Sequence, residues 1–197
     1  LVLLAADLEG NEQATKLIRR IQVAQDDLHR LYEDVREYAR PIRIEPHPHR
    51  LDDILRQAWD ELVLKRQKRD TSLLEVAQTH DLTCSVEEFA IRQVFRNVLD
   101  NSLAACADPV RIIATWSEVM LNGKPALSVS IKDNGPGIGL EQRQHLFDEF
   151  FTTKTHGTGL GLAISRRFIE AHGGTIEAMT SEPPGLELVI VLPRRPS

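Results

Sequence analysis

Apolar residues recur at spacings of three and four from Asn11 to Arg40, at Leu17, Ile21, Ala24, Leu28, Leu31, Val35 and Tyr38, with no internal Gly or Pro. The pattern predicts one long amphipathic helix, stopped by Pro41, whose other face carries Arg19, Arg20, Asp26, Asp27, Glu33, Asp34, Arg36 and Glu37. Such a helix would extend roughly 45 Å, longer than a compact domain requires, so its single apolar stripe points to a helical hairpin or a dimerising bundle. Prolines 41, 46 and 48 place a domain boundary near residue 41, dividing the chain into 1–41 and 42–197, and Ile42-Arg43-Ile44-Glu45 alternates like a short edge strand. His47 and His49 read as loop residues, because two histidines with no further ligand nearby do not make a metal site.

Beyond the boundary the period changes repeatedly. Leu51 to about Lys68 reads as a helix with Leu51, Ile54, Leu55, Ala58, Leu62 and Val63 inward, followed by strands at Ser72–Ala77 and Leu82–Cys84. Ser85 and Glu88 have the spacing of a capping box, so a third helix is predicted from there past Asn101, ending before Asp108-Pro109. Strands at Val110–Trp116 and Ala126–Lys132 are joined across Asn122-Gly123, a strong hairpin signal. A helix at Gly161–Ala171 precedes strands at Gly174–Thr180 and Leu186–Leu192, which flank the turn Glu182-Pro183-Pro184-Gly185. The mixed order, with a late meander in place of regular βαβ repeats, predicts an α+β fold: a two-layer α/β sandwich in which a mixed sheet of about five strands is covered on one face by about three helices, preceded by the long N-terminal helix. It argues against a doubly wound dinucleotide fold.

Composition narrows the function classes. The 197 residues are 42% apolar, enough to bury a core, and the net charge of −5 argues against a nucleic-acid binder. The runs Lys65-Arg66-Gln67-Lys68-Arg69 and Arg166-Arg167 read as solvated helix ends or faces. Cys84 and Cys106 lack CxxC spacing and read as small core residues in a reducing compartment. The opening Leu1–Ala6 is far short of the ~20 apolar residues of a membrane span and has no charged lead-in, so these residues are expected to be cytoplasmic without direct membrane contact. A membrane segment upstream of Leu1 is compatible with that.

Eight of the eleven glycines fall between residues 133 and 174, where each costs unfolded-chain entropy unless the backbone needs it. One cluster is Asp133-Asn134-Gly135-Pro136-Gly137-Ile138-Gly139, and the other, Gly157-Thr158-Gly159-Leu160-Gly161-Leu162, runs into the predicted helix. Glycines at a helix start let backbone N–H groups approach phosphate oxygens, which the helix dipole favours. On the third helix, Gln93, Asn97 and Asn101 form a separate stripe four residues apart. It is either a solvated face or a set of neutral oxygen ligands for a hard cation such as Mg²⁺.

Four blocks in order then resemble one family: Arg92–Asn101, Asp133–Ile138, Leu146-Phe147-Asp148-Glu149-Phe150-Phe151-Thr152-Thr153-Lys154, and Gly157–Ile164. They are similar to the N, G1, F and G2 boxes of the ATP-binding catalytic domain of sensor histidine kinases, in the nitrogen-regulator-like branch. Asn11–Arg40 is similar to the second helix of the dimerisation and phosphotransfer hairpin. The resemblance implies ATP and Mg²⁺ as ligands, a response-regulator receiver domain as partner, and a homodimer through the hairpin. It implies Asn101 as the Mg²⁺ ligand with Asn97 beside it, and Asp133 as acceptor for the adenine amino group with Gly135, Gly137 and Ile138 closing over the base. Phe147 would lie at the hinge, Thr153 and Lys154 beside the phosphates, and residues 152–161 would form a lid whose backbone at Gly157, Thr158, Gly159, Leu160, Gly161 and Leu162 wraps them.

Two departures stand out. Many family members carry Lys or Arg three residues after the second Asn, where this chain has Ala104, leaving Arg96 or Lys154 to supply that charge. No acceptor segment of the His-Glu-Leu/Phe-Arg type is present: His29 reads as a helix-surface residue, His80, His145 and His172 lie inside or beside the ATP domain, and His156 falls in the lid. The acceptor is therefore expected upstream of Leu1. Two other classes stay open, an ATPase of the gyrase, Hsp90 and MutL type and a nucleotide-responsive module without kinase activity. The ATPases place a Glu at the first N-box position to activate water, where this chain has Asn97.

Overall fold

The computed structural model describes residues 12–154, 157–180 and 185–195. The predicted N-terminal helix, α1, spans Glu12–Ala39. The predicted strand at Ile42–Glu45 does not form: residues 41–46 are unpaired, and Ile42 instead packs against the core. The strand is β1, His47–Arg50, antiparallel to β3, Thr83–Val86. Alternation alone could not locate it, because a strand needs an exposed edge in register, and the β3 edge lies opposite residues 47–50. His47 and His49 are accordingly strand residues, and the two-stranded β1–β3 sheet lies outside the expected single sheet.

The helix predicted over 51–68 is broken at Leu62, where i→i−3 bonds from Leu62 N–H to the Trp59 carbonyl and from Lys65 N–H to the Leu62 carbonyl replace the α-helical pattern. It forms α2, Leu51–Glu61, and the short α3, Val63–Arg66. Leu62 is buried, whereas Val63, predicted inward, is exposed. The main helix, α4, spans Glu88–Ala105 and is capped by the Glu87 carboxylate, which accepts from the N–H groups of Phe89 and Ala90. Ser85 cannot serve as the expected cap because it pairs with Pro48 inside β3.

The five-stranded sheet runs β2, Thr71–Ala77, then β4, Val110–Leu121, β5, Lys124–Asp133, β7, Leu186–Pro193, and β6, Thr175–Thr180. The β2–β4 pair is parallel and the rest are antiparallel. Asn122 and Gly123 have φ of 51° and 77°, as a two-residue type I′ hairpin demands. A short helix not anticipated from the pattern, α5, spans Leu140–His145, and α6 spans Gly161–Ala171. Alternate sheet residues, among them Ile112, Ala114, Trp116, Val129, Ile131 and Ile190, bury against α2, α4 and α6, with Phe95 edge-on to Trp116 at 6.2 Å. Among the sheet's outward positions, Leu74, Ile113 and Met179 are exposed.

His172 closes the helical layer. Its Nε2 accepts from the Glu87 N–H at 3.0 Å, so the ring is the tautomer whose Nδ1–H donates to the Phe168 carbonyl at 2.6 Å. One buried imidazole thereby joins the start of α4 to the end of α6. The two cysteines are buried, as expected, and burial pushes the Cys84 thiol up to about 11.

Candidate nucleotide-binding site

Helix α4 is buried along Ala90, Ile91, Val94, Phe95, Val98 and Leu99, which fixes the direction of its opposite side. That side turns Gln93, Asn97 and Asn101 toward a cavity of about 540 Å³, so the asparagine stripe is a cavity wall. Asn97 Nδ2 donates to the Gly161 carbonyl at 2.9 Å and to Ser165 Oγ at 3.3 Å, tying the wall to the first turn of α6. Gly161 and Leu162 also line the cavity, so the N-terminus of α6, with its unpaired N–H groups and positive dipole end, opens onto it.

Asn101 Oδ1 accepts from Lys154 Nζ at 2.7 Å. The oxygen that would ligate a metal thus already holds a cation, and the donor chemistry fits a hard ion: a neutral amide oxygen beside a polar cavity. Partial withdrawal from water lowers the Lys154 pKa, with Asp100 opposing and Lys65 adding to the shift. Thr153, Gly157, Thr158 and Gly159 complete the predicted residues in the cavity. At Gly159, with φ of +70°, an added Cβ would lie 2.4 Å from the Phe150 carbonyl carbon, so no larger residue fits. Thr155 and His156, at the middle of the expected lid, and residues 181–184 of the expected β6–β7 turn lie outside the described residues.

Asp133, Gly135, Gly137, Ile138, Phe147 and Leu160 are not part of the cavity wall. Leu160 is fully buried in the core, leaving only its backbone for a ligand, and Phe147 packs half-buried against the core. Asp133 is buried: Oδ2 accepts from Ser102 Oγ at 2.9 Å, and Oδ1 from the N–H groups of Gly135 at 2.9 Å and Leu186 at 3.0 Å. Ser102 follows Asn101 on α4, so the carboxylate and the cavity share one helix. A side chain at Gly135 would meet Cys106 Sγ at 3.0 Å. Burial, with Asp133 alongside, pushes that thiol up to about 11, leaving it a neutral packing group. Asn134 is structural, accepting from the Arg111 N–H and donating to the Pro109 carbonyl.

Three charged cavity residues lie outside the motif blocks and were not among the candidates. Lys65 and Arg69 belong to the run read as a solvated helix end, yet both line the cavity. Arg69 caps α4 through the carbonyls of Leu103 and Cys106 and pairs with Asp108. Asp34 of α1 reaches the cavity and accepts from the Thr158 hydroxyl. Nearby, Arg167 stacks on the Tyr38 ring at 4.5 Å and donates to its carbonyl, while the Tyr38 hydroxyl donates to Glu149. Tyr38 and Asp34 dock the end of α1, whereas Leu17, Ile21 and Leu28 along its stripe are exposed. A charge pattern gives the composition of a face but not what it faces, so none of the three could be singled out.

Comparison with known proteins identifies the family. The profile of the histidine kinase-, DNA gyrase B- and HSP90-like ATPase family matches residues 86–196. The chain is 40% identical over 107 residues to the signal transduction histidine-protein kinase AtoS of Escherichia coli K12, covering 54% of this chain and 17% of AtoS. It is 29% identical over 188 residues to the sensor histidine kinase ZraS of Klebsiella oxytoca, covering 95% of this chain and 39% of ZraS. The nucleotide-free catalytic domain of histidine kinase ThkA superposes with a TM-score of 0.68 at 31% identity, covering 77% of this chain and 97% of that one. ThkA in complex with the response regulator TrrA superposes with a TM-score of 0.78 at 26% identity, covering 96% of this chain and 54% of that one. The chain belongs to the histidine kinase-, DNA gyrase B- and HSP90-like ATPase family, as a sensor histidine kinase catalytic domain. It spans well under half the length of the curated relatives AtoS and ZraS.

Proposed function

We propose that this chain binds Mg-ATP and transfers the γ-phosphoryl group to a histidine on a helical hairpin, from which a response-regulator aspartate takes it. The observation that carries the reading is the convergence of Asn97, Asn101, Lys154 and the α6 N-terminus on one cavity, with Asp133 held one residue along the same helix. Phosphoryl transfer needs little covalent chemistry from the protein; it needs positioning and charge neutralisation, and this wall offers both.

The Asp133 carboxylate, with three bonds fixing it, retains acceptor capacity for the adenine amino group, and Gly135, Gly137 and Ile138 border that side. Lys154 and the backbone from Gly157 to Gly161 would hold the phosphates, with Phe147 and Thr153 at the edges of the lid. Mg²⁺, held by Asn101 with Asn97 alongside, would neutralise phosphate charge. On this reading residues 1–41 belong to the hairpin region, with α1 as its second helix, and 42–197 are the catalytic domain. The exposed Leu17, Ile21 and Leu28 fit burial against the hairpin's other helix and a second copy of the chain, giving the homodimer. The ThkA complex supports a receiver domain as partner. No described helix is long and apolar enough to cross a membrane, which fits catalytic residues that meet ATP in the cytoplasm.

The competing ATPase reading needs a base at residue 97, and Asn97 has no basic group to take a proton from water and spends its amide N–H on Gly161 and Ser165. Incubation of this chain with γ-labelled ATP, with and without a separate acceptor hairpin, decides between them. Label on the hairpin only when it is added is the expected result; steady phosphate release without it would favour the ATPase.

A further inference from the structure

Four basic side chains line the cavity: Lys65, Arg69, Arg96 and Lys154. Arg69 is committed to the carbonyls that end α4 and to Asp108. Lys154 lies on Asn101. Lys65 comes from the short α3, remote in sequence from every motif, and places its Nζ 2.5 Å from Asp100 Oδ1, beside Asn101 on α4. From Asn97 to Ala105, α4 itself contributes no cation, and Ala104 stands on the cavity wall.

We propose that Lys65 is a phosphate-contacting residue, supplying from α3 the charge that α4 lacks at Ala104, with Asp100 as the positioning residue that holds its ammonium at the cavity wall. The inference rests on the ATP-binding reading above. An ammonium has three N–H donors in a compact point charge; one directed to Asp100 leaves two for phosphate oxygens. The lysine side chain is 58% exposed, so the pair with Asp100 adds little to stability and does not occlude the ammonium. Lys65 and Lys154 line the same cavity, one paired with Asp100 and the other with the neutral Asn101 amide, so two ammoniums share one carboxylate. This leaves a local excess of positive charge along the Asn101 wall, which an anion relieves. Asp34, the other acid at the cavity, is instead bound to Thr158 on the α1 side.

The test is calorimetric titration of the chain and its Lys65→Gln, Lys65→Arg and Lys65→Gln/Ala104→Lys variants with ATP and with adenosine, in Mg²⁺. Lys65→Gln is expected to weaken ATP roughly tenfold or more, the scale of one charge-assisted hydrogen bond, while leaving adenosine unchanged. Lys65→Arg should retain most of the affinity, and Ala104→Lys should restore it in the Gln background. ATP affinity unchanged by Lys65→Gln, or lost in step with adenosine, overturns the inference while leaving the site reading intact. A wild-type chain that binds neither ligand overturns the site reading and this inference with it.

Discussion

The two sides of the site are built on opposite terms. On the proposed base side, Asp133 is buried and each carboxylate oxygen has a donor, from Ser102 on α4 and from the backbone of Gly135 and Leu186. On the proposed phosphate side, Lys154 rests on Asn101 and Lys65 on Asp100 at the wall of an open cavity, in pairs a ligand can rearrange. A flat, uncharged base is read by geometry, so its acceptor must be fixed before it arrives. A charged phosphate chain is gripped by mobile cations, so those groups can wait in provisional pairs. If the fixed side reads the base, recognition and folding use the same atoms there, so a change should disturb both; on the open side the two should separate.

Asp133→Asn should give the largest effect. It keeps the volume but removes the charged acceptor and leaves a mismatched amide among three donors. ATP affinity should fall by roughly a hundredfold and stability by ~1–3 kcal/mol. Calorimetry and thermal unfolding would measure the two together, and unchanged affinity would remove the base-reading role. Asn101→Ala should separate them: Mg²⁺-dependent phosphoryl transfer down by roughly tenfold to a hundredfold, with stability shifted by no more than ~0.5 kcal/mol. A large loss of stability would mean the open side is as structural as the fixed one.

The smallest effect is on pH dependence. Lys154 loses its proton below the ordinary lysine value of 10.5 because of partial burial and Lys65, and only the ammonium attracts phosphate. ATP affinity should therefore fall by a few-fold as pH rises through that lowered value, starting before an exposed lysine would titrate. Lys154→Arg, which stays charged, should flatten this limb. A wild-type profile already flat to about pH 10 would show that the Lys154 ammonium is not destabilised at this site, since an unperturbed lysine titrates only near there.

How far the sequence revealed these features depended on whether the signal was local. The Asn122-Gly123 hairpin and the bounds of α6 follow from residues within one element, and the structure keeps them. The strand expected at Ile42–Glu45 failed because pairing is decided by the partner: the β3 edge faces residues 47–50. The expected cap at Ser85 failed for the same reason, since β3 pairing claimed that residue and left the start of α4 to Glu87. The motif blocks located the asparagine wall and the glycine turns, while Lys65 and Asp34, each on an element outside the blocks, could not be found this way.

The sequence by itself determined the mixed α+β plan and, through the resemblance of its motif blocks, the candidates Asn97, Asn101, Asp133 and Lys154, because periodicity and motif order are properties of neighbours along the chain. Only the tertiary structure decided that Asp133 is held by Ser102 and Leu186, that Lys154 lies on Asn101, and that Lys65 and Asp34 meet the same cavity. Those contacts join residues tens of positions apart, and their geometry is set by how α2, α4 and α6 pack on the sheet, which no local pattern encodes.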